Sequence, residues 1–221
     1  MTDVGVLGAA GRMGRAVCEA ARERTDIRLG ALIDPALGTA LDACGPPPDV
    51  FVDFSTAAAA EKNAAYCAHR GIPLVCAVTG GDPEARRHAL LQAAEQIPVL
   101  ESANLLRSAA LMRALARTAA TALLPQWQAV IVERHHAGKK DAPSGTACLL
   151  ADAVDMPRKD VFSVRAGTIA GTHEVSFYGT HESLTLLHEV CSREAFAWAA
   201  LSAAVWLTGC APGLYTMEDV F

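Results

Sequence analysis

Aromatic residues make up only 5% of the 221 positions. The core therefore has to be packed with Ala, Val, Leu and Ile rather than rings. No apolar run approaches the ~18 residues that a membrane span needs. Met1-Thr2-Asp3-Val4-Gly5 carries no basic stretch and no signal-like apolar segment, so the expected compartment is the cytoplasm. An excess of positive charge is also missing: 19 Lys and Arg stand against 24 Asp and Glu, a net charge of −5. Neither nucleic acid nor a membrane is expected as a partner. No CxxC pair occurs among Cys18, Cys44, Cys67, Cys76, Cys148, Cys191 and Cys210. Their odd number and wide spacing argue against a disulfide framework or a zinc site, and most read as small buried hydrophobes. HExxH is absent too, and no metal is expected.

What is present is a chain that is 52% hydrophobic, which excludes a disordered protein. At roughly 150 residues per domain, its length allows one large domain or two small ones. Strand-like and helix-like segments alternate in the first half. Strands are read at 4–7, 27–33, 50–54, 73–77 and 98–100, and helices at 15–24, 57–70 and 83–96. That alternation means βαβ units and a parallel sheet. After Asn104 the pattern changes. A long Ala-rich helix (108–124) precedes a strand (129–133), a polar stretch (134–145) and a helix (146–153). Strands at 162–165, 174–178 and 183–191 then follow with no helices between them, which predicts a mixed or antiparallel sheet in a second domain. A last helix is read at 195–207, with Trp198 and Trp206 as packing residues.

Gly8-Ala9-Ala10-Gly11-Arg12-Met13-Gly14 lies between the first strand and the first helix. Glycines at that place allow a tight turn and let backbone N–H groups approach a pyrophosphate, and the helix start adds positive potential. Asp34 ends the second strand, 20 residues beyond Gly14. A carboxylate there accepts hydrogen bonds from the ribose hydroxyls of NAD. Pro35 offers no cation for a 2′-phosphate, whereas Arg12 is available for one. NADH is therefore favoured, with NADPH tolerated.

The segment Glu133-Arg134-His135-His136-Ala137-Gly138-Lys139-Lys140-Asp141-Ala142-Pro143-Ser144-Gly145-Thr146-Ala147 gathers two histidines and two lysines within six residues. Ser144-Gly145-Thr146 opens a helix whose free N–H groups and hydroxyls suit a carboxylate. A lysine facing that helix start would clamp a dicarboxylate from two sides. Histidine is suited to donate a proton near neutral pH.

This segment closely resembles the signature of the 4-hydroxy-tetrahydrodipicolinate reductase family, also called dihydrodipicolinate reductase, of the lysine/diaminopimelate pathway. The resemblance extends to the Gly8–Gly14 turn, 52–55, Ala103-Asn104, 164–167, 171–173, 186–188, Ser192-Arg193 and 213–215. It implies an α/β chain with an N-terminal Rossmann-type parallel-sheet domain and a smaller α+β domain with a mixed sheet. The first domain would span 1–104 and be rejoined by about 195–221. The second, 105–194, would bind substrate and assemble a homotetramer. The implied reaction is reduction of a cyclic imine dicarboxylate by NADH or NADPH, with loss of water. His135 resembles the family's proton donor, with Lys139 as its partner. His136, Lys139, Ser144, Gly145 and Thr146 resemble its substrate contacts. Gly8, Gly11, Arg12, Met13, Gly14 and Asp34 resemble its cofactor contacts, joined by Phe54, Ala77, Thr79 and Asn104. Arg165 is a second candidate for substrate anion binding, with a salt bridge in the second sheet as the alternative. His173 and His188 read as hydrogen-bonded sheet residues.

Two loops depart from the family. Ala77-Val78-Thr79-Gly80 stands where the family usually has Gly-Thr-Thr-Gly. Asn104-Leu105-Leu106-Arg107-Ser108 lacks a serine and a glycine. Two alternatives to the family's activity follow. One is a reductase of the same fold acting on a different cyclic imine carboxylate. The other is a non-catalytic homologue binding a dinucleotide or dicarboxylate. Intact His135, His136 and Lys139 argue against the last.

Overall fold

The computed structural model describes residues 1–43, 45–192 and 194–220. Cys44, Arg193 and Phe221, which entered the sequence reading, lie outside the described residues. The chain divides into two compact units, Met1–Leu106 with Phe196–Phe221 and Arg107–Ala195.

The first unit is built on strands β1 (Thr2–Leu7), β2 (Ile27–Ile33), β3 (Val50–Asp53), β4 (Leu74–Cys76), β5 (Pro98–Glu101) and β10 (Gly213–Tyr215). They form one sheet in the order β10-β5-β4-β3-β1-β2, with every pairing parallel. Val4, Val6, Val50, Phe51, Val52, Leu74 and Val75 are fully buried. Consecutive buried positions mean that both faces of these strands are covered, as parallel sheets require. Helices α1 (Arg12–Arg22), α2 (Ala57–Arg70), α3 (Pro83–Ala94) and α6 (Glu194–Leu207) flank the strands in sequence. The chain runs from β1 to β2 on one side and from β3 onward on the other. The strand order therefore switches direction between β1 and β3, and ligands of open α/β sheets bind outside the carboxyl ends at such a point.

The second unit holds α4 (Arg107–Leu123), β6 (Gln128–His135), α5 (Gly145–Ala153), β7 (Phe162–Arg165), β8 (Thr172–Tyr178) and β9 (Ser183–Glu189). Its sheet runs β7-β6-β8-β9; β6 and β7 are parallel and the other pairs antiparallel. Ile131, Val175 and Phe177 on one sheet face pack with Met112, Ala116, Leu150 and Ala151 of α4 and α5.

The α/β class with a parallel and a mixed sheet is as the sequence implied. Several details are corrected. Helix α1 starts at Arg12, inside the glycine segment, three residues before the predicted start. Strand β6 runs on to His135, so that histidine sits on a strand rather than in the polar stretch. β10 was not predicted at all. Of the six described cysteines only Cys18, Cys67 and Cys76 are buried, and Cys191 is exposed. Trp198 is 40% exposed, with the Arg24 guanidinium 5.7 Å from its ring centroid. It faces outward because buried positions of α6 recur at Ala197, Ala200, Leu201 and Ala204, one helical face away from it.

Candidate active site

In the first unit, the glycine turn is fixed by contact rather than by flexibility. Gly8 has φ +79°, and a Cβ on it would meet the Phe54 backbone at 2.8 Å. A Cβ on Gly14 would lie 2.1 Å from the Gly8 carbonyl oxygen. Gly11 donates its N–H to Gly8 O at 3.0 Å and is the N-cap of α1. No side chain caps that helix, so its first N–H groups stay available to a ligand. Asp34 Oδ2 accepts from Ala10 N–H at 3.0 Å and Oδ1 from Ala36 N–H at 2.9 Å. One carboxylate thus ties the glycine turn to the end of β2 and caps the short helix that follows.

A cleft of ≈ 390 Å³ opens beside this turn. Arg12 and Met13 line it from the start of α1, Phe54 and Ser55 from the end of β3, and Ala77, Val78 and Thr79 from the end of β4. Ala103, Leu105 and Phe196 complete it. Asn104 shapes the same loop, its Oδ1 accepting from Leu106 N–H at 3.0 Å. Of the residues expected to hold a cofactor, Arg12, Met13, Phe54, Ala77 and Thr79 line this crevice, whereas Gly8, Gly11, Gly14, Asp34 and Asn104 are not among its lining residues. Sequence reasoning did not name Ser55, Ala103 or Phe196 as lining, and marked Val78 and Leu105 only as members of the two departing loops. The first two sat inside quoted motifs, whereas nothing marked Phe196. Val78 and Leu105, at the two departing loops, are buried at 6% and 2% exposure and give that wall an apolar character.

In the second unit, Glu133 and His135 are two residues apart on β6 and therefore project to the same sheet face. Glu133 is fully buried and accepts a short hydrogen bond from His135 Nδ1. Arg165 bonds the same carboxylate twice, Nη1 to Oε2 at 2.9 Å and Nη2 to Oε1 at 2.6 Å. Ser144 N–H adds a contact to Oε1 at 3.3 Å. Burial pushes the Glu133 carboxyl up, but hydrogen bonds from Arg165, Ser163 and His135 outweigh it and bring its pKa down to about 2. His135 is held below its ordinary value, chiefly by burial and further by the Lys139 and Arg165 charges, against the pull of Glu133.

Across the sheet, His173 pairs with Glu133 on one side and His188 on the other. His173 Nε2 lies 3.1 Å from Ser144 Oγ, and His188 Nε2 lies 2.9 Å from Ser108 Oγ. Burial, then the neighbouring His135 and His188, brings the His173 pKa down to about 3, so His173 is uncharged at neutral pH. Ser144 is the N-cap of α5, its Oγ accepting from Ala147 N–H. Gly145 follows with nothing within 4 Å of where a Cβ would sit, which leaves room for a ligand at the helix start. Thr146 is the next residue of that turn. Lys139 Nζ pairs with Asp141 at 2.8 Å, and His136 O accepts from Lys139 N–H at 3.1 Å, closing the turn that carries both.

Arg165 takes the salt-bridge arrangement that the sequence left open beside anion binding. Its four terminal N–H protons go to Glu133 twice, Val164 O and Asp141 O, while its buried Nε–H has no partner among the described residues. None of the four terminal protons is left for a substrate carboxylate. Among the described residues, no group of three or more His, Cys, Asp or Glu is placed to hold a metal.

Residues 2–105 match the family model for the dihydrodipicolinate reductase N-terminus, and residues 108–221 match that for its C-terminus. The chain belongs to the dihydrodipicolinate reductase family. The 4-hydroxy-tetrahydrodipicolinate reductase of Zymomonas mobilis is 38% identical over 245 residues, covering 98% of this chain and 96% of that one. The corresponding enzyme of Xanthomonas campestris strain B100 is 40% identical over 229 residues, covering 96% and 94%. Among solved structures, a dipicolinate-bound dihydrodipicolinate reductase from Paenisporosarcina sp. TG-14 covers all of both chains with a TM-score of 0.81 at 22% identity. A scyllo-inositol dehydrogenase from Lactobacillus casei with bound NAD(H) aligns with a TM-score of 0.59 at 16% identity, covering 100% of this chain and 93% of that one. These two likenesses show the shared fold.

Proposed function

We propose that this chain reduces 4-hydroxy-tetrahydrodipicolinate to tetrahydrodipicolinate with a nicotinamide dinucleotide, as a cytoplasmic step of lysine and diaminopimelate synthesis. The observation that carries this reading is the 38–40% identity to named reductases over nearly the whole chain. The intact histidine–lysine segment supports it. The residues present fit the dinucleotide: a Cβ-free turn, an uncapped helix start and an adjacent cleft. Gly8, Gly11, Arg12, Met13 and Gly14 would hold its pyrophosphate by backbone N–H groups, and Asp34 its ribose. Phe54, Ala77, Thr79 and Asn104 would line the rest. When bound, the dinucleotide supplies the hydride. A carboxylate at the end of β2 favours NADH, and exposed Arg12 permits NADPH.

In the second unit, the start of α5 at Ser144, Gly145 and Thr146 would take one carboxylate of the substrate, and His136 and Lys139 the other. Lys139 would exchange Asp141 for that carboxylate. His135 would act as proton donor to the ring nitrogen or to the leaving hydroxyl. Without ligand its pKa is depressed, and a bound dianion works against that by favouring the charged imidazole. The test is to mix the folded protein with freshly generated 4-hydroxy-tetrahydrodipicolinate and NADH or NADPH and follow oxidation of the cofactor. Turnover is expected with both and faster with NADH; none with either would overturn the reading.

The outer face of the second sheet carries Phe162 and Leu187, each 62% exposed, with Val164, Tyr178, Val130 and Val132. Second copies of this chain are the proposed cover, giving the homotetramer that the family forms through these sheets. Leu187→Glu is expected to reduce the sedimenting species to a smaller one, because it places a charge in an apolar contact. An unchanged sedimentation coefficient would place the contact elsewhere.

A further inference from the structure

The geometry points to Glu133 as a positioning residue that fixes which ring nitrogen of His135 meets the substrate. Its carboxylate accepts a hydrogen bond from Nδ1–H, and the bidentate bond from Arg165 prevents that carboxylate from turning away. Nε2 is then the nitrogen left over. It has no hydrogen-bond partner among the described residues, and it lies 3.1 Å from where a Cβ on Gly171 would sit. A side chain at position 171 would press on it. Full burial of Glu133 and the donors from His135, Arg165 and Ser144 leave the carboxylate no second orientation. The device also explains why Arg165 spends all its terminal protons inside the protein: it keeps an anion where His135 needs an acceptor. A ring held by one nitrogen presents the other at a fixed place, which is how the neighbour of a catalytic histidine sets its tautomer.

This inference rests on the reading that His135 serves the reaction, so its test has a readout independent of turnover. In Glu133→Gln, the amide has to put an NH2 group on one of the two oxygen positions. At Oε1 it would face Arg165 Nη2 and the Ser144 N–H, neither of which can accept; at Oε2 it would face Arg165 Nη1 and His135 Nδ1, which turns from donor to acceptor by changing tautomer. The expected result is loss of the Nδ1–H tautomer. It is read by nitrogen NMR of protein labelled with ¹⁵N-histidine, the His135 signal being assigned by its disappearance in His135→Gln. Alongside this, kcat should fall on the order of 10- to 100-fold, as for partners that orient a histidine, with KM nearly unchanged. The groups facing His135 are Glu133 from β6, Lys139 from the following turn, Arg165 from β7 and His173 from β8. Removing the one anion among them should move the descending limb of the kcat profile to lower pH. A wild-type tautomer in Glu133→Gln overturns the inference. So does an equal loss of kcat and of dipicolinate binding, which would mark a merely structural role. Normal turnover of His135→Gln would instead overturn the role given to His135, while the tautomer ratio would still judge Glu133.

Discussion

His135→Gln should lower kcat by about 10²- to 10³-fold, within the range ascribed to a positioned acid or base. The amide keeps a hydrogen-bonding group beside Glu133, and Arg165 still neutralises that carboxylate, so no buried charge is stranded. Stability should therefore change little. NADH affinity should be unaffected, because the glycine turn and the cleft beside it are built wholly from the first unit. Steady-state turnover, thermal melting and NADH titration separate these outcomes. Loss of kcat together with a large fall in melting temperature would mean that the residue is needed for the fold and would leave the proton-donor role without support. Retained kcat would remove His135 from the mechanism.

Gly14→Ala should damage cofactor binding, through a different physical route. The new Cβ would sit 2.1 Å from the Gly8 carbonyl oxygen and 2.8 Å from Ala9 Cα. Both are backbone atoms, so no side chain can swing aside. Either α1 slides along its axis or the turn unwinds, at a cost of about 1–3 kcal/mol for overpacking. Either movement displaces the N–H groups that would face a pyrophosphate, and dinucleotide affinity should fall about tenfold or more, some 1.4 kcal/mol. Gly45→Ala is the control, since nothing lies within 4 Å of its Cβ position. Calorimetric titration with NADH reads both variants. Unchanged binding by Gly14→Ala would show that the turn has slack which the close contact denies.

Much of this was legible in the sequence, and the reasons differ by element. The parallel sheet was readable because buried strands alternate with helices, and each signal is local. The glycine turn was readable because its function depends on the absence of side chains at fixed spacing. The role of Arg165 stayed open, since it depends on a partner 32 residues away and on the parallel register that sets His135 beside Arg165. The row of His135, His173 and His188 has the same origin: three strands in register place them together, and no single segment contains the pattern. The end of β6 was misjudged because Arg134-His135 is polar and opens the stretch 134–145, although the His135 side chain is buried. Polarity argues for a loop only when the groups go unsatisfied, and here Glu133 accepts from His135 and Glu174 from Arg134. β10 escaped notice because three residues carry too little periodicity to register.

The placement of β10 has a consequence for how the molecule comes into being. It pairs with β5 through Gly213↔Pro98, so neighbours in the sheet are separated by more than half the chain. On the ribosome, β5 emerges long before the strand that covers it and waits while the whole of the second unit is made. Throughout that interval β5 is an open edge, a template for pairing with another chain. The edge of β5 is thus still open after the glycine turn has been synthesised, and the arrival of β10 is what seals it.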